Sequence, residues 1–162
     1  LRVAQTRGHT RGHCAYFEEA TGVLFSGDAV QGGGTPASSG TSVFAPMYED
    51  VDDCLRGLER LRALPFTLLC GAHAAPLARE AGLARIDESI AFVHDTDARV
   101  RRLLAEAGEP VSVTDVAATI GRAVGTDPPV SMQSLYTAMA HIRHVARAGL
   151  AEPRWVATQG PA

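Results

Sequence analysis

Three short strings hold the side chains that could do chemistry. Thr6-Arg7-Gly8-His9-Thr10-Arg11-Gly12-His13 offers two imidazoles, Phe25-Ser26-Gly27-Asp28 a carboxylate, and Cys70-Gly71-Ala72-His73 a third imidazole. In each, the metal-binding side chain lies just beyond a Gly, where an apolar run meets a turn. Imidazole and carboxylate donors together suit a borderline-to-hard divalent ion such as Zn²⁺, Mn²⁺ or Fe²⁺. If His9, Asp28 and His73 meet at one sheet edge, the chemistry on offer is metal-assisted attack by water. That convergence is an expectation, since up to 64 positions separate the three residues.

The elements that must position these residues are legible as hydrophobic patterns. Short strands are expected over 2–6, over 14–17 and over 23–25, with a Gly22 turn between the last two. Residues 31–46 form a Gly-, Ser-, Thr- and Pro-rich stretch expected to be a loop that borders the site and orders on binding. Val51, Cys54, Leu55, Leu58 and Leu61 recur at helical spacing, with acidic residues at the start and Pro65 beyond the end, so a helix is expected over about 50–63. A buried strand, 66–70, then delivers His73. From Ala78 the texture is helical, with one apolar face through Leu104, a polar interruption at 94–99, and a stop at Gly108-Glu109-Pro110. Two further helices are expected, one from Val113 capped by Ser112 or Thr114 and one over 131–148. A short extended segment over 150–156 follows.

Composition bounds the function classes. The 162 residues are 46% hydrophobic and 20% charged, an ordinary globular mixture with no apolar run long enough to span a membrane. A net charge of −3 gives no global attraction for nucleic acid. All 15 basic residues are Arg, which reads as compositional bias rather than a phosphate-binding device. Cys14, Cys54 and Cys70 are an odd count at wide spacing among apolar neighbours, expected to be buried, reduced thiols in a cytoplasmic protein.

The order T-x-G-H-T-x-G-H, F-S-G-D and G-x-H resembles the second half of a metallo-β-lactamase-fold hydrolase. With F-S-G-D-A-V-x-G-G-G-T after the first motif, it is most similar to the β-lactamase-like protein 2 group, and more distantly to glyoxalase II. The resemblance implies an α+β chain: the C-terminal half of an αββα metallo-β-lactamase fold over 1–77, a connecting helix over 78–93, and a helix-rich winged-helix domain over 94–162. It implies two divalent metal ions, Zn²⁺ first and Mn²⁺ or Fe²⁺ as alternatives, with His9 on the first, Asp28 bridging both and His73 on the second. His13, Gly27, Gly32, Gly33 and Thr35 would stand behind the ligands or near substrate. The implied activity is hydrolysis of an ester, thioester or phosphodiester bond by a metal-bridged hydroxide. The family's H-x-H-x-D-H signature, which supplies the other ligands, does not occur in the 162 residues. The missing N-terminal half is therefore the first expected partner, and the chain alone is expected to be a poor, inactive metal binder. Its exposed sheet edge would also invite association with another copy. Two departures stand out: Arg7 replaces the usual Pro of T-P-G-H, and Ala72-His73-Ala74-Ala75-Pro76 replaces the usual Gly-His-Gly-Pro.

The C-terminal helices admit two jobs. From His94 to Ala162 there are 7 Arg and 7 acidic residues, a balance that disfavours sequence-specific DNA binding. Walling the active-site cleft is the favoured role, with single-stranded RNA contact through Tyr136, Arg143 and Arg147 the next. The alternative to an enzyme is a winged-helix nucleic-acid-binding or regulatory module carrying a degenerate, non-catalytic hydrolase half.

Overall fold

Alternation along the first strands sets the layers. In β1 (Arg2–Gln5), β2 (Cys14–Glu18) and β3 (Val23–Gly27), Ala4, Ala15, Phe17 and Leu24 are buried, whereas Val3, Tyr16 and Phe25 are exposed. A computed structural model describes residues 1–37 and 43–152. Its main sheet adds β6 (Leu68–Gly71) and β7 (Leu77–Ala78) in the order β1-β2-β3-β6-β7. All neighbours are antiparallel except β3 and β6, which run parallel with Val23 opposite Leu68 and Phe25 opposite Cys70. The crossover between them contains α1 (Val51–Arg62), as parallel pairing requires. Asp50 caps α1 by accepting from the Asp53 backbone N–H.

The buried sheet face packs on Leu58 and Leu61 of α1 and on Ile86 of α2 (Arg79–Glu106). The opposite face leaves Val3, Tyr16 and Phe25 in register as an exposed apolar stripe. A second core lies between the far half of α2, α3 (Val113–Val124) and α4 (Met132–Arg147), built from Val100, Val116, Ala117, Ile120 and Ala138. Ser112 and Ser131 each close a capping box at the starts of α3 and α4.

Three details differ from the sequence pattern. The stretch expected to be one loop over 31–46 contains a small antiparallel ladder, β4 (Thr35–Pro36) with β5 (Val43–Phe44); residues 38–42 lie outside the described set. β7 is two residues long and carried no strand signal of its own. α2 is one helix of 28 residues that runs straight through the boundary expected between 93 and 94. At about 1.5 Å per residue it is long enough to serve both cores. The β-wing expected over 150–156 falls mostly outside the described residues. The three cysteines are free and partly buried, and burial pushes the Cys54 thiol up to about 12.

A third cluster joins the two cores around Tyr48, Val51, Val93 and Ala140. Its polar centre is His141, fully buried, with Nε2 2.7 Å from the Tyr48 hydroxyl and Nδ1 3.4 Å from Asp97 Oδ1. Burial lowers the His141 pKa to about 4, against the pull of Asp97, with His144 and Arg101 adding cationic neighbours. Burial also opposes ionisation of Asp97, yet Arg101 and His141 hold its carboxyl below the usual range. His141 is thus neutral when folded at pH 7, and an unfolded chain with the ordinary value of 6.5 takes up the proton first as pH falls. Stability should therefore drop between pH 6.5 and about 4. At 1.36 kcal/mol per pH unit this one group accounts for about 3 kcal/mol. Urea midpoints measured across that range should fall with acid, and His141→Gln should flatten the fall. An unchanged slope in the variant would remove His141 as its source.

Candidate metal centre

His9 is placed by a tight loop that leans on α1. Past β1, the Thr6 N–H donates to His13 O at 3.0 Å and the Glu49 N–H to Gly8 O at 2.7 Å. Gly8 has φ +133°, and a Cβ on it would lie 2.4 Å from Cys54 Cα, so only glycine lets the loop approach the helix backbone this closely. The His9 ring then meets the Met47 carbonyl with Nδ1 at 2.8 Å. A carbonyl only accepts, so Nδ1 carries the proton. Nε2 is left with its lone pair, 3.8 Å from Asp28 Oδ2.

The parallel pair supplies the other two residues. β3 and β6 end at Gly27 and Gly71, and the Ala72 N–H donates to Gly27 O at 3.3 Å, tying the two strand ends together. Carboxyl ends of parallel strands are the usual place for ligand sites in α/β folds. Gly27 takes φ +53°, and a Cβ there would stand 3.0 Å from His13 Nε2. Asp28 follows at once. Its Oδ1 lies 2.9 Å from His73 Nε2, so the two imidazoles meet different oxygens of one carboxylate. His73 is 57% exposed and Asp28 32%, against 15% for His9.

An imidazole lone pair facing a carboxylate is unfavourable unless a cation or proton lies between them. The Nδ1–H of His9 donated to a carbonyl is also the arrangement that orients a metal-binding imidazole from behind. The donor set therefore fits a divalent cation. It does not by itself enclose one: among the described residues, no group of three or more His, Cys, Asp and Glu is arranged to hold an ion.

The remaining sequence candidates divide. His13 packs edge-on against His9, with ring centroids 5.7 Å apart, and its Nδ1 lies 2.8 Å from Thr6 Oγ1. Burial, then the neighbouring His9, lowers its pKa. Thr35 shares a cleft with His73, Gly71 and Gln31. Gly32 and Gly33 turn instead toward α2, where the Gly32 N–H donates to Ser89 Oγ at 2.8 Å and Gly33 sits against Glu88. Tyr136 and Arg143 line an open groove with Arg11, Gly12, Glu49 and Met139, next to the His9 loop. Arg147 is not in that groove; it pairs with Asp50 at 3.1 Å and Asp52 at 3.3 Å.

Gln31 and Met47 were missed. The Gln31 amide donates to Asp28 O at 2.9 Å, and its Oε1 accepts from the Met47 N–H at 3.0 Å. One side chain thus ties the Asp28 backbone to the segment that orients His9. The polar Gln among the apolar and Gly residues of Ala29-Val30-Gln31-Gly32 was the available signal. A backbone acceptor such as Met47 O leaves none.

Residues 1–73 match the sequence profile of the metallo-beta-lactamase superfamily, a stretch that holds His9, Asp28 and His73. The chain is also similar to the crystal structure of a metallo-beta-lactamase family protein from Thermus thermophilus, with a TM-score of 0.65 and 28% identity, over 92% of this chain and 44% of that one. An archaeal metallo-beta-lactamase superfamily protein from Sulfolobus tokodaii matches at a TM-score of 0.42 and 18% identity, over 88% of this chain and 45% of that one. The chain spans less than half the length of both proteins. Superfamily members are typically metal-dependent hydrolases using divalent ions such as zinc. The architecture among the described residues, a five-stranded mixed sheet and a two-stranded ladder with four helices, is consistent with that fold. No helix among the described residues is long and apolar enough to cross a membrane.

Proposed function

We propose that this chain carries half of a two-metal hydrolytic site that cleaves an ester, thioester or phosphodiester bond. The observation that carries the reading is the Asp28 carboxylate at the ends of two parallel strands, with one oxygen toward His9 and the other toward His73. In this reading Asp28, His9 and His73 would hold two cations together with ligands from the other half of the site. The ions, zinc by the chemistry of the donors, would supply Lewis acidity and a water nucleophile at neutral pH. His9 presents Nε2 because Met47 O holds the proton on Nδ1. Gln31 keeps Asp28 and Met47 in register.

The finer assignment is to the β-lactamase-like protein 2 group, with the last three helices as a winged-helix unit that walls the cleft. The groove between the His9 loop and α4 supports that role, offering Arg11, Arg143 and the Tyr136 ring to a substrate beside the metal ligands. The exposed stripe Val3, Tyr16 and Phe25 suits cover by a second sheet that brings the remaining ligands.

The test is metal content and hydrolysis. The 162-residue chain should bind Zn²⁺ weakly and hydrolyse neither a generic thioester nor a phosphodiester. Joined to or mixed with a half containing H-x-H-x-D-H, it should hold two ions per chain and turn over. Tight binding of two ions with full activity by this chain alone would overturn the shared site.

A further inference from the structure

The segment Pro46–Tyr48 lies between the candidate metal centre and α4, and α4 holds it on both sides of Met47. Thr137 Oγ1 donates to Pro46 O at 2.6 Å, and the Tyr48 hydroxyl lies 2.7 Å from His141 Nε2. Thr137 and His141 are four residues apart, one above the other on the same helix face, and both are fully buried. Tyr48 is 2% exposed. Between these two anchors the Met47 carbonyl accepts from His9 Nδ1.

Buried hydroxyl and imidazole groups are a poor choice for packing alone, because each needs a partner to offset its desolvation. An apolar pair at 137 and 141 would join α4 to the rest of the core without that requirement. The partners these two use are confined to the residues flanking Met47 and, for His141, to Asp97 of α2. Asp97 is itself held by Arg101. The chain of contacts therefore runs from α2, through α4, to the Met47 carbonyl, which at 2.8 Å lies nearer His9 Nδ1 than the Gln31 amide nitrogen at 3.3 Å.

We propose that Thr137 and His141 are positioning residues for His9. By pinning Pro46 and Tyr48 they fix the direction of the Met47 carbonyl, which selects the Nδ1–H tautomer of His9 and turns Nε2 toward Asp28. The helical unit is then part of the scaffold of the metal centre as well as a wall of the cleft. This rests on the reading of His9 as a ligand, so the experiment separates the two.

The ring nitrogens of His9 can be followed by proton–nitrogen correlation in the labelled, metal-free chain, beside Zn²⁺ affinity from competition with a chromophoric chelator. The variants are Thr137→Val, Tyr48→Phe and the double variant, with Thr137→Ser as the conservative replacement. Tyr48→Phe keeps the ring in the core, so it preserves a folded sample if Thr137→Val does not fold. Wild type should show one His9 tautomer, protonated on Nδ1. Thr137→Val and Tyr48→Phe should each admit the Nε2–H form, the double variant more so, and Thr137→Ser should keep the wild-type tautomer. Zn²⁺ affinity should fall about tenfold in the double variant, the lower end of what loss of an orienting partner costs. A single Nδ1–H tautomer persisting in folded Tyr48→Phe and in the double variant would overturn the positioning role. Tautomer mixing in a protein whose wild type binds no Zn²⁺, even with its other half, would support the positioning role and remove the metal reading. Unchanged tautomers with two ions bound would do the reverse.

Discussion

Asp28→Asn is expected to abolish binding of the paired ions while leaving the fold intact. One carboxylate oxygen of Asp28 faces His9 and the other His73, so in the proposed site its charge would serve two shells at once. Loss of a partner that merely orients a ligand already weakens binding by about 10–100-fold. Loss of the shared anionic ligand should exceed about 100-fold for the pair. The fold should be indifferent, because the Asp28 side chain is 32% exposed, its contacts are with imidazoles of the site, and the Gln31 bond is to its backbone carbonyl. The measurement is metal content after dialysis, together with a thermal melt, in the protein that carries the remaining ligands. His13→Gln is the useful companion. His13 touches Thr6 and the His9 ring rather than the carboxylate, so its loss should cost about tenfold. Two ions retained in Asp28→Asn would end the bridging role, and equal losses in both variants would make His13 a ligand.

How much of this was legible depends on what kind of contact each residue makes. α1, α3 and α4 were readable because their apolar faces recur at helical spacing and their ends carry Asp50, Ser112 and Ser131 as caps. The alternation in β2 and β3 was readable for the same reason, at a period of two. The continuity of α2 was hidden by the polar stretch 94–99, which looks like a solvated interruption. Two of those polar residues point inward: Thr96 is 3% exposed and hydrogen-bonds Tyr48, and Asp97 receives His141. Their partners lie on other elements, so nothing in the local pattern separates them from surface residues. The three candidate ligands were legible as types beyond Gly turns. The atoms that aim His9 were not, because they include a main-chain carbonyl on a segment 38 residues away.

The octapeptide Thr6-Arg7-Gly8-His9-Thr10-Arg11-Gly12-His13 shows that limit in miniature and gives the second large prediction. As a sequence it is a doubled Thr-Arg-Gly-His, and nothing distinguishes the two glycines. In the structure, a Cβ on Gly8 would stand 2.4 Å from Cys54 Cα and 2.6 Å from Cys54 N, at a φ of +133°. A Cβ on Gly12 would meet nothing within 4 Å. Gly8→Ala therefore forces the loop off α1, since the opposing atoms are helix backbone and cannot rotate away. Overpacking of this kind costs about 1–3 kcal/mol, and the strained backbone about 1–3 kcal/mol more. Taken as about 3 kcal/mol in a chain of this size, that lowers the melting temperature by about 6–12 °C. The displaced loop carries His9 and the Gly8 carbonyl that receives the Glu49 N–H, so the Met47 contact and metal affinity should be lost with it. Gly12→Ala should melt within about 2 °C of wild type, because one surface methyl in open space changes stability by no more than about 0.5 kcal/mol. Paired melting curves and the His9 ring signals check both halves of the expectation. Two variants with the same melting temperature would mean that the close approach of Gly8 to Cys54 is not what holds the His9 loop on α1.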